Sequence, residues 1–459
     1  KNKKVILVRH ETSPEDIHGM HAAQGIITAK GGMTSHAALV ARSWGKACIV
    51  GCPNLNIDLQ RKTLLINGIT YKEGSWLTIN STEGFIYSQK LKLVQSNFII
   101  NKYFKKLMTL TDKFKKLKIR TNADTPEDAA LSKKLGAQGI GLCRTEHMFF
   151  DKQRIRNVQK MILSSEEQPR KNAIMKLLPY QKKDFYNILK EMAPMPVTIR
   201  LLDPPLHEFL PSQKNTELIK SLAKDMGVTT KQINNRIINL FEINPMLGHR
   251  GCRLAISFPE ITEMQVEAIL TATAKLIKEG KNPNPEIMVP LISNVNEFNH
   301  QKKIVKKIAK QIELKYKIKI KYKLGTMIEL PRACLTADTI AKAVDFFSFG
   351  TNDLTQTTFG FSRDDIGSFI QDYFDNNILH DDPFKTIDIN GVGQLVKIAT
   401  NKGRKENKKI KIGVCGEHGG DPKSIYFFDN LGLDYVSCSP YRIPVARLSA
   451  AKNALRNSM

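Results

Sequence analysis

The stretch Phe346-Phe347-Ser348-Phe349-Gly350-Thr351-Asn352-Asp353 combines a short apolar strand with a polar end. From Lys118 onward this pattern recurs, and eight short apolar strands alternate with helical segments: Ile119–Thr121, Gly139–Leu142, Val197–Ile199, Ile287–Leu291, Leu324–Ile328, Phe346–Phe349, Ile410–Val414 and Tyr435–Ser437. Eight such units over about 340 residues predict a (β/α)8 barrel in residues 118–459. The long gaps after the second and third strands are predicted to hold extra helices.

Polar residues of this half of the chain fall at the ends of the predicted strands. Active sites of (β/α)8 barrels lie at the C-terminal ends of the strands. Five of the eight predicted strands end in chemically useful side chains, namely Arg144, Arg200, Glu329, Asn352 with Asp353, and Cys415. We therefore expect these side chains to meet in one site.

This set of side chains suits a small anion that carries both a carboxylate and a phosphate. Arg144 and Arg200 each offer a planar fork for such groups. Glu329 and Asp353 are hard oxygen ligands, in the number that magnesium usually takes from a protein. Cys415 is either a thiol that gives and takes a proton or a buried structural thiol, and the sequence leaves both interpretations open.

A second informative stretch, Gly31-Gly32-Met33-Thr34-Ser35-His36, places a histidine on a glycine- and hydroxyl-rich turn. Residues 25–29 upstream are predicted to form a short buried strand, and residues 37–42 downstream a buried helix. Thr34 or Ser35 can cap that helix, which leaves the N–H groups of its first turn directed at an anion. A nitrogen nucleophile at His36 would therefore be well placed to carry a phosphoryl group, and the alternative interpretation of the turn alone is a structural histidine behind a pair of glycines.

The residues before Lys118 form a separate region. Residues 1–92 are rich in strands and turns, with closing strands predicted at residues 76–79 and 84–87. Apolar residues recur at helical spacing within residues 93–117, which predicts a helical linker. Val5–Val8 is already a strand, so we expect the chain to begin inside its first domain.

The motifs together resemble the phosphoenolpyruvate-utilising enzymes, and among them the dikinases. The likeness extends over nearly the whole chain and rests on Gly31–Ala38, Asn122–Asp128, Gly139–Phe149, Arg200–Leu210, Met246–Arg253 and Cys415–Asp421. It implies a small α/β phosphohistidine (swivelling) domain followed by a C-terminal (β/α)8 TIM barrel.

The resemblance also implies roles for the candidate residues. His36 would carry the phosphoryl group, and Cys415 would protonate an enolate. Arg144, Arg200 and Arg250 would bind the substrate. Glu329 and Asp353 would bind magnesium. The site would be lined by Gly350, Thr351 and Asn352. Thr34 matches a position that is a regulatory phosphorylation site in some members.

The activity implied by the resemblance is the dikinase reaction, which converts ATP, phosphate and pyruvate to AMP, diphosphate and phosphoenolpyruvate. We expect this chain to carry the phosphohistidine and the pyruvate half-reaction, as a fragment that lacks the N-terminal ATP-grasp domain of the family. The resemblance further implies a homodimer through the barrel. Three alternatives stay open: a phosphoenolpyruvate synthase, a phosphoenolpyruvate-protein phosphotransferase, and an inactive remnant or binding module of a split gene.

The composition argues against nucleic-acid and membrane partners. The net charge of +26 comes mostly from lysines that are spread along the chain without any nucleic-acid recognition motif. Such a charge still draws anionic substrates toward the protein. No apolar run approaches the length of a membrane span. The seven cysteines are scattered, which predicts free thiols in a reducing cytoplasm.

Overall fold

A computed structural model describes residues 4–12, 16–31, 35–43, 45–93, 101–242 and 244–458. The chain divides into two compact units. Unit 1 comprises residues 1–110 and 360–386, and unit 2 comprises residues 111–359 and 387–459. Met33, Thr34 and Trp44 lie outside the described residues, as do residues 94–100 of the predicted linker.

Strands and helices are numbered here in chain order. The strands are β1 Ile6–Arg9, β2 Gly25–Thr28, β3 Ala47–Ile49, β4 Leu55–Asp58, β5 Thr63–Ile66, β6 Ile69–Lys72, β7 Thr78–Asn80, β8 Phe85–Tyr87, β9 Lys118–Asn122, β10 Ile140–Arg144, β11 Pro196–Arg200, β12 Asn284–Val289, β13 Lys323–Ile328, β14 Phe346–Phe349, β15 Lys411–Val414 and β16 Tyr435–Cys438. The helices are α1 Ile17–Ala22, α2 His36–Ser43, α3 Lys102–Phe114, α4 Pro126–Lys134, α5 Lys152–Leu163, α6 Glu167–Met175, α7 Leu178–Met192, α8 Thr216–Met226, α9 Thr230–Leu240, α10 Gly251–Ser257, α11 Pro259–Lys278, α12 Val295–Tyr316, α13 Pro331–Leu335, α14 Ala337–Ala341, α15 Thr351–Phe359, α16 Ile370–Asp375, α17 Val392–Glu406, α18 Pro422–Asn430 and α19 Ile443–Arg456.

Unit 1 is built on small sheets. Strands β1, β2 and β3 form a parallel sheet, β4 to β6 an antiparallel one, and β7 pairs with β8. Strand β2 is buried along its whole length, and its Ile26 packs with Met20 of α1 and with Ala37 and Ala41 of α2. This packing fixes α2, which begins at His36, beside the central strand of the parallel sheet.

Unit 2 is built around a closed barrel of eight parallel strands, β9 to β16, in chain order. Strands that are buried on both faces are mostly apolar, and β14 is buried along its whole length and apolar except for Ser348. Three helices, α5 to α7, separate β10 from β11, and four, α8 to α11, separate β11 from β12. The predicted (β/α)8 barrel and its two long, helix-bearing gaps are confirmed.

Local sequence signals account for the helix ends of the barrel. Helix α4 begins at Pro126, and the Thr125 side chain accepts a hydrogen bond from the Asp128 backbone N–H. Helix α12 begins with a capping box formed by Asn294 and Glu297. These caps set where each helix starts relative to the strand before it.

A buried ionic cluster lies in the half of the barrel away from the C-terminal ends of the strands. Arg120 of β9 and Lys411 of β15 donate to the carboxylate of Glu286 in β12 at 2.7 and 3.0 Å. The Arg120 guanidinium also stacks 4.0 Å from the ring centre of Tyr435. Burial opposes the ionised Glu286, but the charge of Arg120 outweighs it and lowers the pKa of Glu286 to about 2. This cluster fills that end of the barrel and leaves the C-terminal end for chemistry.

No described helix is both long and apolar enough to cross a membrane.

Candidate active site

The predicted site residues of unit 2 follow the ends of its strands. Arg144 and Arg200 are the last residues of β10 and β11 and are aligned in the barrel register. Glu329, Gly350 and Cys415 directly follow β13, β14 and β15. Thr351, Asn352 and Asp353 open α15, and Arg250 precedes α10. The strand order of the barrel brings the residues that follow its strands to one end, and Arg250 joins them through its contacts with Asp203 and Asp353.

Two arginines converge on Asp203, an aspartate just beyond β11. Arg200 lies 2.6 Å from its carboxylate, and Arg250 donates to the same group at 2.6 and 3.3 Å. Burial opposes the ionised form, but the charges of Arg200 and Arg250 outweigh it and lower the pKa of Asp203. Glu146 forms a second ion pair with Arg200. Asp203 thus remains ionised and holds two guanidinium groups in fixed directions.

Some polar atoms around Arg200 have no hydrogen-bond partner in the described part of the chain. Arg200 Nε and Glu146 Oε2 are buried and have no hydrogen-bond partner among the described residues. Arg144 is more open, with its side chain 27% exposed and its nearest carboxylate oxygen 3.9 Å away. Buried polar atoms without partners are rare in proteins and mark places where a ligand or water completes the structure.

Glu329 and Asp353 form the acidic side of the site. Glu329 is 1% exposed, and its Oε1 accepts the Leu291 N–H at 2.7 Å. Burial, together with the charges of Asp353 and Asp203, raises the pKa of Glu329 well above its usual range. Asp353 accepts from Arg250 at 3.0 Å. A buried carboxylate that other carboxylates repel is a place where an additional positive charge is strongly favoured.

This acidic pair fits a divalent cation. Hard carboxylate oxygens are the donors that magnesium takes, and one or two of them suffice when a substrate completes the coordination. Within the described part of the chain, no group of three or more His, Cys, Asp or Glu side chains is arranged to hold a metal ion. Glu329 and Asp353 would therefore hold the ion only together with oxygen atoms of a bound ligand.

Loop contacts fix the residues between the two carboxylates. Thr351 Oγ1 lies 2.7 Å from Nδ1 of the buried His418, and Asn352 Oδ1 accepts the Glu417 N–H at 3.3 Å. Gly416 leaves no room for a side chain, since an added Cβ would lie 2.1 Å from Thr351 Oγ1. The loop after β15 thus holds the start of α15 in place.

Cys415 lies in the barrel interior, 1% exposed, within a cluster that includes Met288, Met327 and Phe346. Burial raises the pKa of the Cys415 thiol to about 11. The thiol is therefore protonated at neutral pH, which is the state required of a proton donor. Asn122, at the end of β9, donates to the Cys415 carbonyl at 3.2 Å and accepts from Ser437 at 2.6 Å.

Three acids that orient the arginines are not among the site residues predicted from the sequence. Asp203 and Glu146 pair with Arg200, and Asp124 accepts the Arg144 backbone N–H at 2.6 Å. All three lie within four residues after a strand end, in motifs that the resemblance to the family already included. Acidic residues directly after strand ends were thus the signal that could have identified them.

His36, the predicted phosphoryl carrier, belongs to unit 1, where it is the first residue of α2. Gly31 in the preceding turn has a φ of +100°, and an added Cβ would lie 2.9 Å from Ser35 Cβ, so glycine is required there. Ser35 Oγ is buried without a hydrogen-bond partner among the described residues. Ser35 therefore does not supply the predicted cap, and Thr34 lies outside the described residues.

Two sequence profiles match this chain. One, described as the PEP-binding domain of PEP-utilising enzymes, matches residues 100–455, and another, described as their mobile domain, matches residues 1–84. The chain belongs to the PEP-utilising enzymes. Residues 1–84 of the strand-rich unit match the mobile domain of this family, and the barrel strands lie within the match to its PEP-binding domain.

Similar proteins come from plants and a bacterium. The chain is 53% identical to pyruvate, phosphate dikinase 1, chloroplastic, of Arabidopsis thaliana, over 98% of this chain and 47% of that protein. It is 50% identical to pyruvate, phosphate dikinase of Clostridium symbiosum, over 100% of this chain and 52% of that protein. It is 51% identical to pyruvate, phosphate dikinase 2 of Zea mays, over 98% of this chain and 51% of that protein. The chain spans about half the length of each.

Proposed function

We propose that this chain carries the phosphohistidine and the pyruvate half-reaction of a pyruvate, phosphate dikinase. In the complete reaction, ATP, phosphate and pyruvate give AMP, diphosphate and phosphoenolpyruvate. Here the barrel would move a phosphoryl group between phosphoenolpyruvate and His36. The observation that carries this proposal is the convergence of three arginines, two carboxylates and a protonated thiol at one end of the barrel.

Arginines would bind and orient the substrate anion. Arg144, the most exposed of the three, is free to turn its fork toward a carboxylate or phosphate. Arg200 and Arg250 are held by Asp203, so little side-chain freedom is lost when they bind a ligand. Asn352 and the backbone of Gly350 and Thr351 would contact the carboxylate or enolate.

Glu329 and Asp353 would hold a magnesium ion, which when bound supplies positive charge that stabilises the transferring phosphoryl group and the enolate. Glu329 is fixed by the Leu291 N–H and Asp353 by Arg250. Gln356 also donates to Asp353 Oδ1 at 3.2 Å. These contacts preorganise the pair, and the substrate would supply the remaining oxygen ligands.

The proposed chemistry has two steps, a phosphoryl transfer and a protonation. In the first, a ring nitrogen of His36 attacks the phosphorus of phosphoenolpyruvate, an N–P bond forms, and the P–O bond to the enol oxygen breaks. In the second, the Cys415 thiol gives its proton to the terminal carbon of the enolate, which yields pyruvate and a thiolate that takes up a proton from solvent.

The proposal extends to the arrangement of the complete protein. Residues 1–92 would be the swivelling phosphohistidine domain, residues 93–117 a helical linker, and residues 118–459 the barrel. An ATP-grasp domain would phosphorylate His36, Thr34 would be a regulatory phosphorylation site, and the barrel would form a homodimer. All seven cysteines are free, which suits a reducing compartment such as the cytoplasm.

Phosphorylation of His36 tests this proposal. When the chain is mixed with phosphoenolpyruvate and magnesium, intact-mass analysis should show one added phosphoryl group that is labile in acid and stable in base. The group should be absent from His36→Ala and present in His10→Ala, an exposed histidine of the same unit. A folded wild-type chain that takes up no phosphate would refute the proposal.

A further inference from the structure

A histidine with no role in the proposed chemistry stands beside Arg144. His147 lies in the short 3₁₀ helix Thr145–Phe149, directly after β10, and its side chain is 52% exposed. Its ring Nδ1 lies 2.8 Å from Asp124 Oδ2. The other oxygen of Asp124 accepts the Arg144 backbone N–H at 2.6 Å. One carboxylate therefore fixes both the end of β10 and the direction of the His147 ring.

We infer that His147, oriented by Asp124, supplies an additional positive charge beside Arg144 for the phosphoryl-bearing substrate, and that protonation of the ring controls this charge. The inference deepens the proposed function and rests on it. With Nδ1 bonded to Asp124, the Nε2 side of the half-exposed ring is the side left for an anion. Phosphate and carboxylate oxygens accept well from an imidazolium N–H.

The charges around His147 favour its protonated form. Asp124 faces the ring from the segment between β9 and α4, Asp128 from the first turn of α4, Glu146 from its own element, and Arg144 from β10. Burial and Arg144 oppose the charge on the ring, but the charge and hydrogen bond of Asp124, together with Glu146, outweigh them and raise the pKa of His147. Because the ring is half exposed, burial lowers the pKa of His147 less than it would for a fully buried ring. His147 is therefore positive below this raised pKa and loses its charge as the pH rises through it.

This arrangement predicts a pH-dependent part of the substrate affinity. A partly exposed charge near an anion contributes a factor of roughly two to five in affinity. Because the phosphate of the substrate itself titrates near neutral pH, the informative quantity is the ratio of dissociation constants between variant and wild type. The substrate's own titration cancels in that ratio.

The experiment uses the full chain in a His36→Ala background, which prevents transfer of the phosphoryl group. Calorimetry with phosphoenolpyruvate and magnesium is carried out from pH 6 to pH 9 on this protein and on versions that also carry His147→Gln, His147→Lys or His300→Gln. His300 is a histidine of α12 outside the site. Thermal unfolding checks that each variant is folded.

For His147→Gln, we expect a dissociation constant roughly twofold to fivefold above that of the parent at low pH, with the ratio falling toward one at high pH. His147→Lys should bind at least as well as the parent at high pH, since lysine keeps its charge. His300→Gln should show a ratio of one throughout. A ratio of one for His147→Gln at every pH, with the parent binding normally, overturns this inference alone. A parent chain that does not bind phosphoenolpyruvate overturns the proposed function and, with it, this inference.

Discussion

Replacing Gly350 by alanine would place a methyl group against the carboxylate of Glu329. An added Cβ would lie 2.5 Å from Glu329 Oε2, 2.7 Å from Met327 Sδ and 3.0 Å from Glu329 Cβ. Ordinary contacts of a Cβ begin at 3.4 Å, so the first of these is about 0.9 Å too short. Because φ of Gly350 lies outside the left-handed region, the effect of the substitution is steric.

Glu329 has little freedom to avoid this methyl group. Its side chain is buried, and its Oε1 is held at 2.7 Å by the Leu291 N–H. Metal ligands tolerate displacements of about 0.2 Å and catalytic groups of about 0.5 Å. A shift of the required size should therefore weaken magnesium-dependent binding of phosphoenolpyruvate at least roughly tenfold, or about 1.4 kcal/mol. Overpacking should cost a further 1–3 kcal/mol or so in stability.

Calorimetry in the His36→Ala background measures the affinity, and thermal unfolding measures the stability. The matched control is Gly367→Ala, because an added Cβ there meets nothing within 4 Å, and this variant should bind like its parent. If Gly350→Ala is folded and binds within twofold of the parent, then the position of Glu329 does not govern phosphoenolpyruvate binding.

Four further predictions concern the rest of the chain. Arg144→Lys should weaken phosphoenolpyruvate binding in calorimetry, since a point charge cannot replace a bidentate fork; unchanged affinity would contradict its proposed role. Cys415→Ala should abolish exchange of the pyruvate methyl protons with heavy water, which proton NMR measures in the presence of magnesium and phosphorylated protein. Exchange at the wild-type rate would make Cys415 a packing residue only. Glu286→Gln should lower the free energy of unfolding by roughly 3–5 kcal/mol at pH 7, because Arg120 would lose its buried partner. As a control, Glu406→Gln removes the carboxylate of an exposed ion pair and should change the free energy of unfolding by less than about 0.5 kcal/mol. With its lowered pKa, Glu286 stabilises the wild type fully above about pH 4.5, and urea titrations should show this contribution of roughly 3 kcal/mol being lost toward pH 2. ATP should not bind saturably at micromolar concentrations, because the chain has no GxxxxGK[ST] loop and the proposed nucleotide site belongs to the ATP-grasp domain; saturable binding would reveal a nucleotide site within this chain.

The barrel could be predicted from the sequence because its signals are local. Each strand is a short apolar run, and each helix carries its own cap, as Thr125 and Asn294 illustrate. Since parallel strands of a barrel all point the same way, a residue that ends one strand lies near the residues that end its neighbours. Arg200 and Glu329 could thus be assigned to one site before any contact between them was known.

Other features depended on contacts between residues distant in the sequence. Nothing local shows that Arg250 joins Asp203, 47 residues away, or that it reaches Asp353, 103 residues away. The raised pKa values of Glu329 and Cys415 likewise follow from burial and from neighbouring charges supplied by other strands. Strand periodicity and turn chemistry act over a few residues, and they determined the barrel and the positions of its reactive side chains. Electrostatic pairing and burial depend on which elements pack together, so only the tertiary structure decided how those side chains are oriented and ionised.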